Sequence, residues 1–189
     1  ADPIAPAGAI WSSVNDMAKW MQFLLDNGKV KGQALLELET YQELFKPQII
    51  IPREHFYPST ALSMPTWSTY GLVWFQLDYQ GYTLQFHTGS LPGTVAIIGL
   101  VPELGLGVYV LGNLDHAEVR HAILYQVIDA FRGETDKDWS TDCKTIYDNI
   151  AVRQGLQRKD LMLSRQIKTK TSKPITDYAG IYFDPMWGE

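Results

Sequence analysis

The stretch Phe86-His87-Thr88-Gly89-Ser90-Leu91-Pro92-Gly93 decides the reading of this chain. Just upstream, Tyr82, Leu84 and Phe86 alternate with Thr83, Gln85 and His87, which predicts a strand with one apolar and one polar face. On that alternation His87 closes the polar face and points to the side that solvent or a substrate can reach. The six residues after it contain two glycines and a proline. Glycine in such a place lets a ligand approach the backbone closely enough to use its N–H groups, and an oxyanion hole needs that kind of bare donor.

Around this stretch the pattern is one of hairpins. Residues 70–77 and 82–87 read as two strands turning through Asp78-Tyr79-Gln80-Gly81. Residues 94–101 and 106–111 read as a second pair turning through Pro102-Glu103-Leu104-Gly105, apolar on both faces and so expected to be covered on both sides. Before them, a Pro-rich run from Ala1 to Gly8 leads to Ser13 and Asp16, a capping-box pattern, and Val14, Met17, Ala18, Met21, Leu24 and Leu25 recur at helical spacing until Asn27-Gly28. A shorter helix is expected over 33–45. Pro47, Pro52, Pro58 and Pro65 then mark a long loop of the kind that forms lids or site walls. After the sheet, Asp115 reads as the cap of a helix whose Ile123, Leu124, Val127, Ile128 and Phe131 face the sheet, with Gly133 ending it. Residues 134–173 are polar and charged, with a helix over 141–163 that reads as a spacer and not as a core element. The fold class expected is α+β, an antiparallel sheet with helices packed on it.

Composition sets the outer bounds. With 189 residues, 46% hydrophobic and 20% charged, the chain can bury one sizeable core, and disordered and collagen-like classes are excluded. A net charge of −5 and no Lys/Arg block beyond Lys168, Lys170 and Lys173 exclude an electrostatic footprint for nucleic acid or anionic lipid. A small neutral or polar substrate fits better. The single cysteine, Cys143, rules out an internal disulfide and leaves the redox compartment open. Neither a leader nor a long apolar run is in view, and an upstream leader could have been lost.

Pro6-Ala7-Gly8 before a capped helix, Tyr70-Gly71-Leu72-Val73-Trp74, His87-Thr88-Gly89 with Gly93, Val101-Pro102-Glu103-Leu104-Gly105-Leu106-Gly107-Val108, and Leu111-Gly112-Asn113 follow one another in order. The series resembles the C-terminal half of the β-lactamase-related serine hydrolases, a family of class C β-lactamases, DD-carboxypeptidases, D-aminopeptidases and certain esterases. His-Thr-Gly stands where that family usually has Lys-Thr-Gly. The resemblance covers residues 4–133 and implies a partial transpeptidase-like fold and an acyl-serine mechanism on a peptide, ester or lactam, with no metal or organic cofactor. It implies that His87 supplies positive charge or a proton near the substrate. Thr88 and Gly89 match the strand edge along which substrate lies. Ser90 matches the residue whose backbone N–H completes the oxyanion hole, and Asn113 matches a polar residue near the substrate carboxylate in some members. The habits of bacterial members imply a periplasmic or extracellular location. Residues 175–189, with Tyr178-Ala179-Gly180-Ile181-Tyr182, resemble the opening strand of a lipocalin-like β domain that often follows.

The departures matter equally. No serine has a lysine three residues later, so Ser-x-x-Lys is absent. Tyr57-Pro58-Ser59 and Tyr147-Asp148-Asn149 mimic the family's tyrosine motif but follow the Pro-Ala-Gly segment that it should precede, and both read as decoys. Ser12 and Ser13 read as helix-cap residues, and Ser90 has no adjacent base in sequence. The nucleophile is therefore expected in absent sequence, and a missing N-terminal half or a partner chain would complete the sheet along edges left by residues 70–87. The competing class is a non-catalytic binding or scaffolding module of the same fold. Cys143 reads as inert, His116 and His121 do not make a metal pair, and the tryptophans read as packing, with Trp67 and Trp74 as the two that could wall a pocket.

Overall fold

The computed structural model describes residues 5–114 and 118–188. Its centre is a six-stranded antiparallel sheet in which every strand pairs with its neighbour in sequence, in the order β3-β4-β5-β6-β7-β8. These strands are β3 (Ile49–Ile50), β4 (Ser68–Tyr70), β5 (Phe75–Tyr79), β6 (Tyr82–Leu91), β7 (Thr94–Val101) and β8 (Leu106–Gly112). Ahead of them come α1 (Ala5–Gly8), α2 (Val14–Leu25), a small hairpin of β1 (Lys29–Val30) and β2 (Gln33–Ala34), and α3 (Leu38–Phe45). A single turn, α4 (Thr60–Ser63), lies in the Pro-rich loop, and α5 (Val119–Phe131) and α6 (Trp139–Leu163) follow the sheet. The chain divides into two compact units, Ala1–Ile150 and Ala151–Glu189.

Alternation along the strands explains the layers. Ile98 and Leu100 of β7 turn to one face, where Leu24 of α2, Phe45 of α3 and Trp74 complete a buried cluster. Ile97 and Val101 turn to the other and meet Leu77, Tyr79, Leu84, Phe86, Val108 and residues of α5. β7 is thus covered on both sides, as its unbroken apolar sequence requires. Both helices come close because glycine stands beneath them. A Cβ at Gly99 would lie 2.5 Å from Leu124 Cδ1 of α5, and one at Gly107 would lie 3.0 Å from Met21 Sδ of α2. Ser13 caps α2 by accepting the Asp16 backbone N–H at 3.2 Å, as the capping-box pattern predicts.

Several expectations are corrected. The strand expected over 70–77 breaks into β4 and β5, because the Gly71 N–H bonds the Trp74 carbonyl at 2.8 Å and turns the chain back. Trp74 itself is core and does not wall a pocket. The hairpin turn is tighter than expected, with Gln80 and Gly81 alone in the left-handed region, and β6 runs on through Leu91 where a loop was expected. The helix expected over 33–45 holds only at Leu38–Phe45, since Gln33 and Ala34 pair with Val30 and Lys29. Residues 70–87 are internal to the sheet, whose outer strands are β3 and β8. The cap expected at Asp115 and the neighbouring His116 lie outside the described residues.

The largest corrections concern α5 and α6. On α5, Ile123, Val127 and Phe131 are 39%, 38% and 60% exposed, and the buried face is His121, Leu124, Tyr125 and Ile128, flanked by Arg120 and Asp129. These buried positions follow the same i, i+3, i+4, i+7 spacing as an apolar stripe, with polar residues standing in it. The first turns of α6 are core, because Trp139 and Cys143 are each 1% exposed and pack under the sheet. Asp129 holds them there, accepting Tyr79 Oη at 2.7 Å and Trp139 Nε1 at 2.6 Å. The second unit, by itself, is the rest of α6, a 3-10 turn at Ile175–Tyr178 and a tight bridge between Asp184 and Gly188 in place of an extended strand. Among the described residues no helix is long and apolar enough to cross a membrane.

Candidate active site

β6 positions the predicted site. β5 stops at Phe75, opposite Phe86, so from His87 onward β6 is paired by β7 alone, with His87 opposite Ile98 and Ser90 opposite Val95. Backbone hydrogen bonding alternates along an antiparallel strand. The two-residue turn makes Tyr79 and Tyr82 a bonded pair, so Tyr82, Leu84 and Phe86 direct their N–H and C=O groups toward β5. The same side of Thr88 and Ser90 faces an edge that β5 has left open. Bare backbone donors therefore arise from strand length, not from the loop that the glycines and proline suggest.

Side chains sort by the same rule. His87 is exposed, on the face of Ile98, and its ring lies on Phe75 at 5.6 Å and 24°. Partial burial there holds the imidazole below its ordinary value, only partly offset by a hydrogen bond with the Thr88 backbone. A Cβ at Gly89 would meet nothing within 4 Å, so the strand is open beside it. Thr88 and Ser90 turn to the opposite face. Thr88 Oγ1 pairs with Tyr57 Oη at 2.6 Å, and Ser90 Oγ accepts Arg120 Nη1 at 3.0 Å. The nearest ionic partner of Ser90 is thus a cation and not a base, which leaves its hydroxyl unactivated. Asn113 is exposed just past β8, at the same end of the sheet but across β7 from the open edge. The structure brings His87, Thr88, Gly89 and Ser90 together and leaves Asn113 about 10 Å away by strand spacing.

Sequence order set Tyr57 aside, yet the Pro-rich loop carries its hydroxyl onto the motif's threonine. Arg120, Glu118 and His121 were also missed as neighbours of the site. Arg120 reaches the Gly89 carbonyl, Glu118 lies 3.2 Å from His121 Nδ1, and the His121 ring packs at 4.9 Å from that of Tyr57. The available signal was the His121, Leu124, Tyr125, Ile128 spacing, which outranks the run of aliphatic residues as the inner face of α5. The inert reading of Cys143 agrees with its burial, which pushes the thiol up to about 11. Tyr147 packs half-buried against the core, and burial raises its phenol. Among the described residues no group of three or more His, Cys, Asp or Glu side chains is placed to share a metal ion.

The antiparallel sheet with helices on it is a transpeptidase-like fold. It superposes on the octameric penicillin-binding protein homologue from Pyrococcus abyssi with a TM-score of 0.53 at 23% identity, covering 66% of this chain and 25% of that one, a likeness of fold. The Beta-lactamase family model matches residues 1–131, and the chain belongs to that family. It is 28% identical over 192 residues to "Unguisins hydrolase ungD'" of Aspergillus campestris, covering 97% of this chain. It is 24% identical over 211 residues to "Unguisins hydrolase ungD" of Aspergillus violaceofuscus, covering 98%. The chain spans 34% of the length of each of these two relatives.

Proposed function

We propose that this chain is the C-terminal part of a serine hydrolase domain that cleaves an amide or ester through an acyl-serine intermediate, with its Ser-x-x-Lys nucleophile and base in sequence outside these residues. The observation that carries the reading is the open edge of β6, where the Ser90 N–H faces outward three residues from His87, whose ring lies on Phe75. Such a donor, fixed before the reaction begins, stabilises the oxyanion of a tetrahedral intermediate without reorganisation. The two relatives named as hydrolases support the reaction class. A histidine held toward its neutral form shuttles protons near neutral pH more readily than it pins a carboxylate, which favours a peptidase or esterase over a dedicated penicillinase. The same comparison supports placing the substrate among the compounds these relatives are named for.

The test is intact mass of the protein from its native source before and after a fluorophosphonate probe. A mass well above 21.4 kDa with one adduct, and a labelled serine followed three residues later by lysine, is expected. A protein that takes no adduct is a binding or scaffolding module of the same fold.

A further inference from the structure

β6 loses one of its two neighbours at Phe86, so from His87 to Leu91 it is held by β7 alone. The residues that need fixed positions lie beyond that point. Arg120, from the first turn of α5, is 4% exposed and reaches across to them. Its Nη1 donates to the Gly89 carbonyl at 2.7 Å, to Ser90 Oγ at 3.0 Å and to the Ala96 carbonyl at 3.3 Å. Gly89 and Ala96 are partners across β6 and β7, so one guanidinium ties both strands at one rung. The guanidinium is itself held, with Nη2 at 3.4 Å from Glu118 Oε2, and that carboxylate also meets His121 Nδ1 at 3.2 Å.

The consequence follows from peptide geometry. The Gly89 carbonyl and the Ser90 N–H belong to one planar trans unit and point in opposite directions. Fixing the carbonyl from the β7 side therefore fixes the direction in which the N–H leaves the open edge. We infer that Arg120 is a positioning residue: through the Gly89 carbonyl and Ser90 Oγ it aims the Ser90 N–H at the site where an oxyanion forms. It does this from the opposite side of the strand, with Nη1 and Nη2 turned to protein acceptors and the residue itself buried, so it touches no substrate. The inference rests on the hydrolase reading for its purpose, but the clamp itself is a property of the strand pair.

Arg120→Met and Arg120→Lys in the full-length protein test it, with p-nitrophenyl acetate as substrate and amide exchange of the peptides spanning residues 87–98 as a second readout. Misplacing a catalytic donor by about an ångström costs on the order of 100-fold. Arg120→Met is expected to lower kcat about 10- to 100-fold with KM changed less than about threefold, and to speed exchange at Gly89 and Ala96. Arg120→Lys keeps the charge but cannot reach both carbonyls and Ser90 at once, so it should recover only part of kcat. In Arg120→Ala, millimolar methylguanidinium should restore turnover, which a general loss of stability would not allow. Unchanged kcat in folded variants overturns the positioning role, and unchanged exchange overturns the clamp. If the wild type takes no fluorophosphonate and turns over no ester, the hydrolase reading fails, and exchange alone then upholds or overturns the clamp. Should Arg120→Met fail to fold, Arg120→Lys carries the same measurements.

Discussion

Replacing Asp129 by Ala tests whether the start of α6 is core or spacer. Asp129 accepts Tyr79 Oη from the sheet at 2.7 Å and Trp139 Nε1 from α6 at 2.6 Å, while Arg132 Nη1 lies 3.4 Å from Oδ1. Tyr79 and Trp139 are 0% and 1% exposed, so neither donor can turn to water when the carboxylate is removed. A buried donor left without a partner costs about 1–3 kcal/mol, so two cost about 2–6 kcal/mol. For a domain of this size that corresponds to a fall in Tm of about 10 °C. Asp129→Asn keeps an acceptor for Trp139 but turns an amide donor toward Tyr79 Oη, whose own proton then lacks an acceptor, so it should lose about 1–3 kcal/mol, less than the alanine variant. The assay is thermal unfolding followed by near-UV circular dichroism, where buried Trp139 and Tyr79 contribute to the signal. An alanine variant within about 1 kcal/mol of wild type, or an asparagine variant as damaged as the alanine one, refutes the argument that this carboxylate is the joint between sheet and helix.

Gly99→Ala puts a methyl 2.5 Å from Leu124 Cδ1 in a packed layer and should cost about 1–3 kcal/mol, read by urea titration; an unchanged midpoint would mean that α5 is not seated as described. Gly89→Ala meets no atom within 4 Å, so stability should hold within about 0.5 kcal/mol, while kcat/KM should fall if the proposed function is right and substrate lies along this edge. Equal turnover in that variant would remove the β6 edge from the binding path. Burial holds His87 below its ordinary 6.5, so between the folded and unfolded values the unfolded chain binds the extra proton. This contribution to stability is complete above about 6.5 and is lost as the pH falls toward the folded value. The acid limb of kcat/KM should have its midpoint below 6.5, and His87→Ala should remove the limb and cut turnover about 10- to 10,000-fold. A limb that survives in His87→Ala assigns it to another group.

What the sequence determined by itself was everything carried by short-range pattern. Alternation placed His87 on the accessible face of β6, the capping box set the start of α2, and its unbroken apolar run put β7 between two covering layers. Each depends only on a period of two or of 3.6 residues and on which residues the chain can bury. The order of His87-Thr88-Gly89, Pro102-Glu103-Leu104-Gly105 and Leu111-Gly112-Asn113 was also enough to point to the family, since it needs no contact in space.

The tertiary structure decided what depends on where a neighbour ends or which side chain arrives from far along the chain. That β6 offers bare donors at Thr88 and Ser90 follows from β5 stopping at Phe75, a property of β5 and not of the motif. That the inner face of α5 holds Arg120, His121 and Asp129 follows from partners at Gly89, Glu118, Tyr79 and Trp139, without which burying those groups would be too costly. Apolar counting assigned that face to Ile123, Leu124, Val127, Ile128 and Phe131, of which only Leu124 and Ile128 are buried, because a single sequence cannot show a buried charge its partner. The same blindness set Tyr57 aside, although folding brings its hydroxyl, 31 residues distant in sequence, to the threonine of the motif.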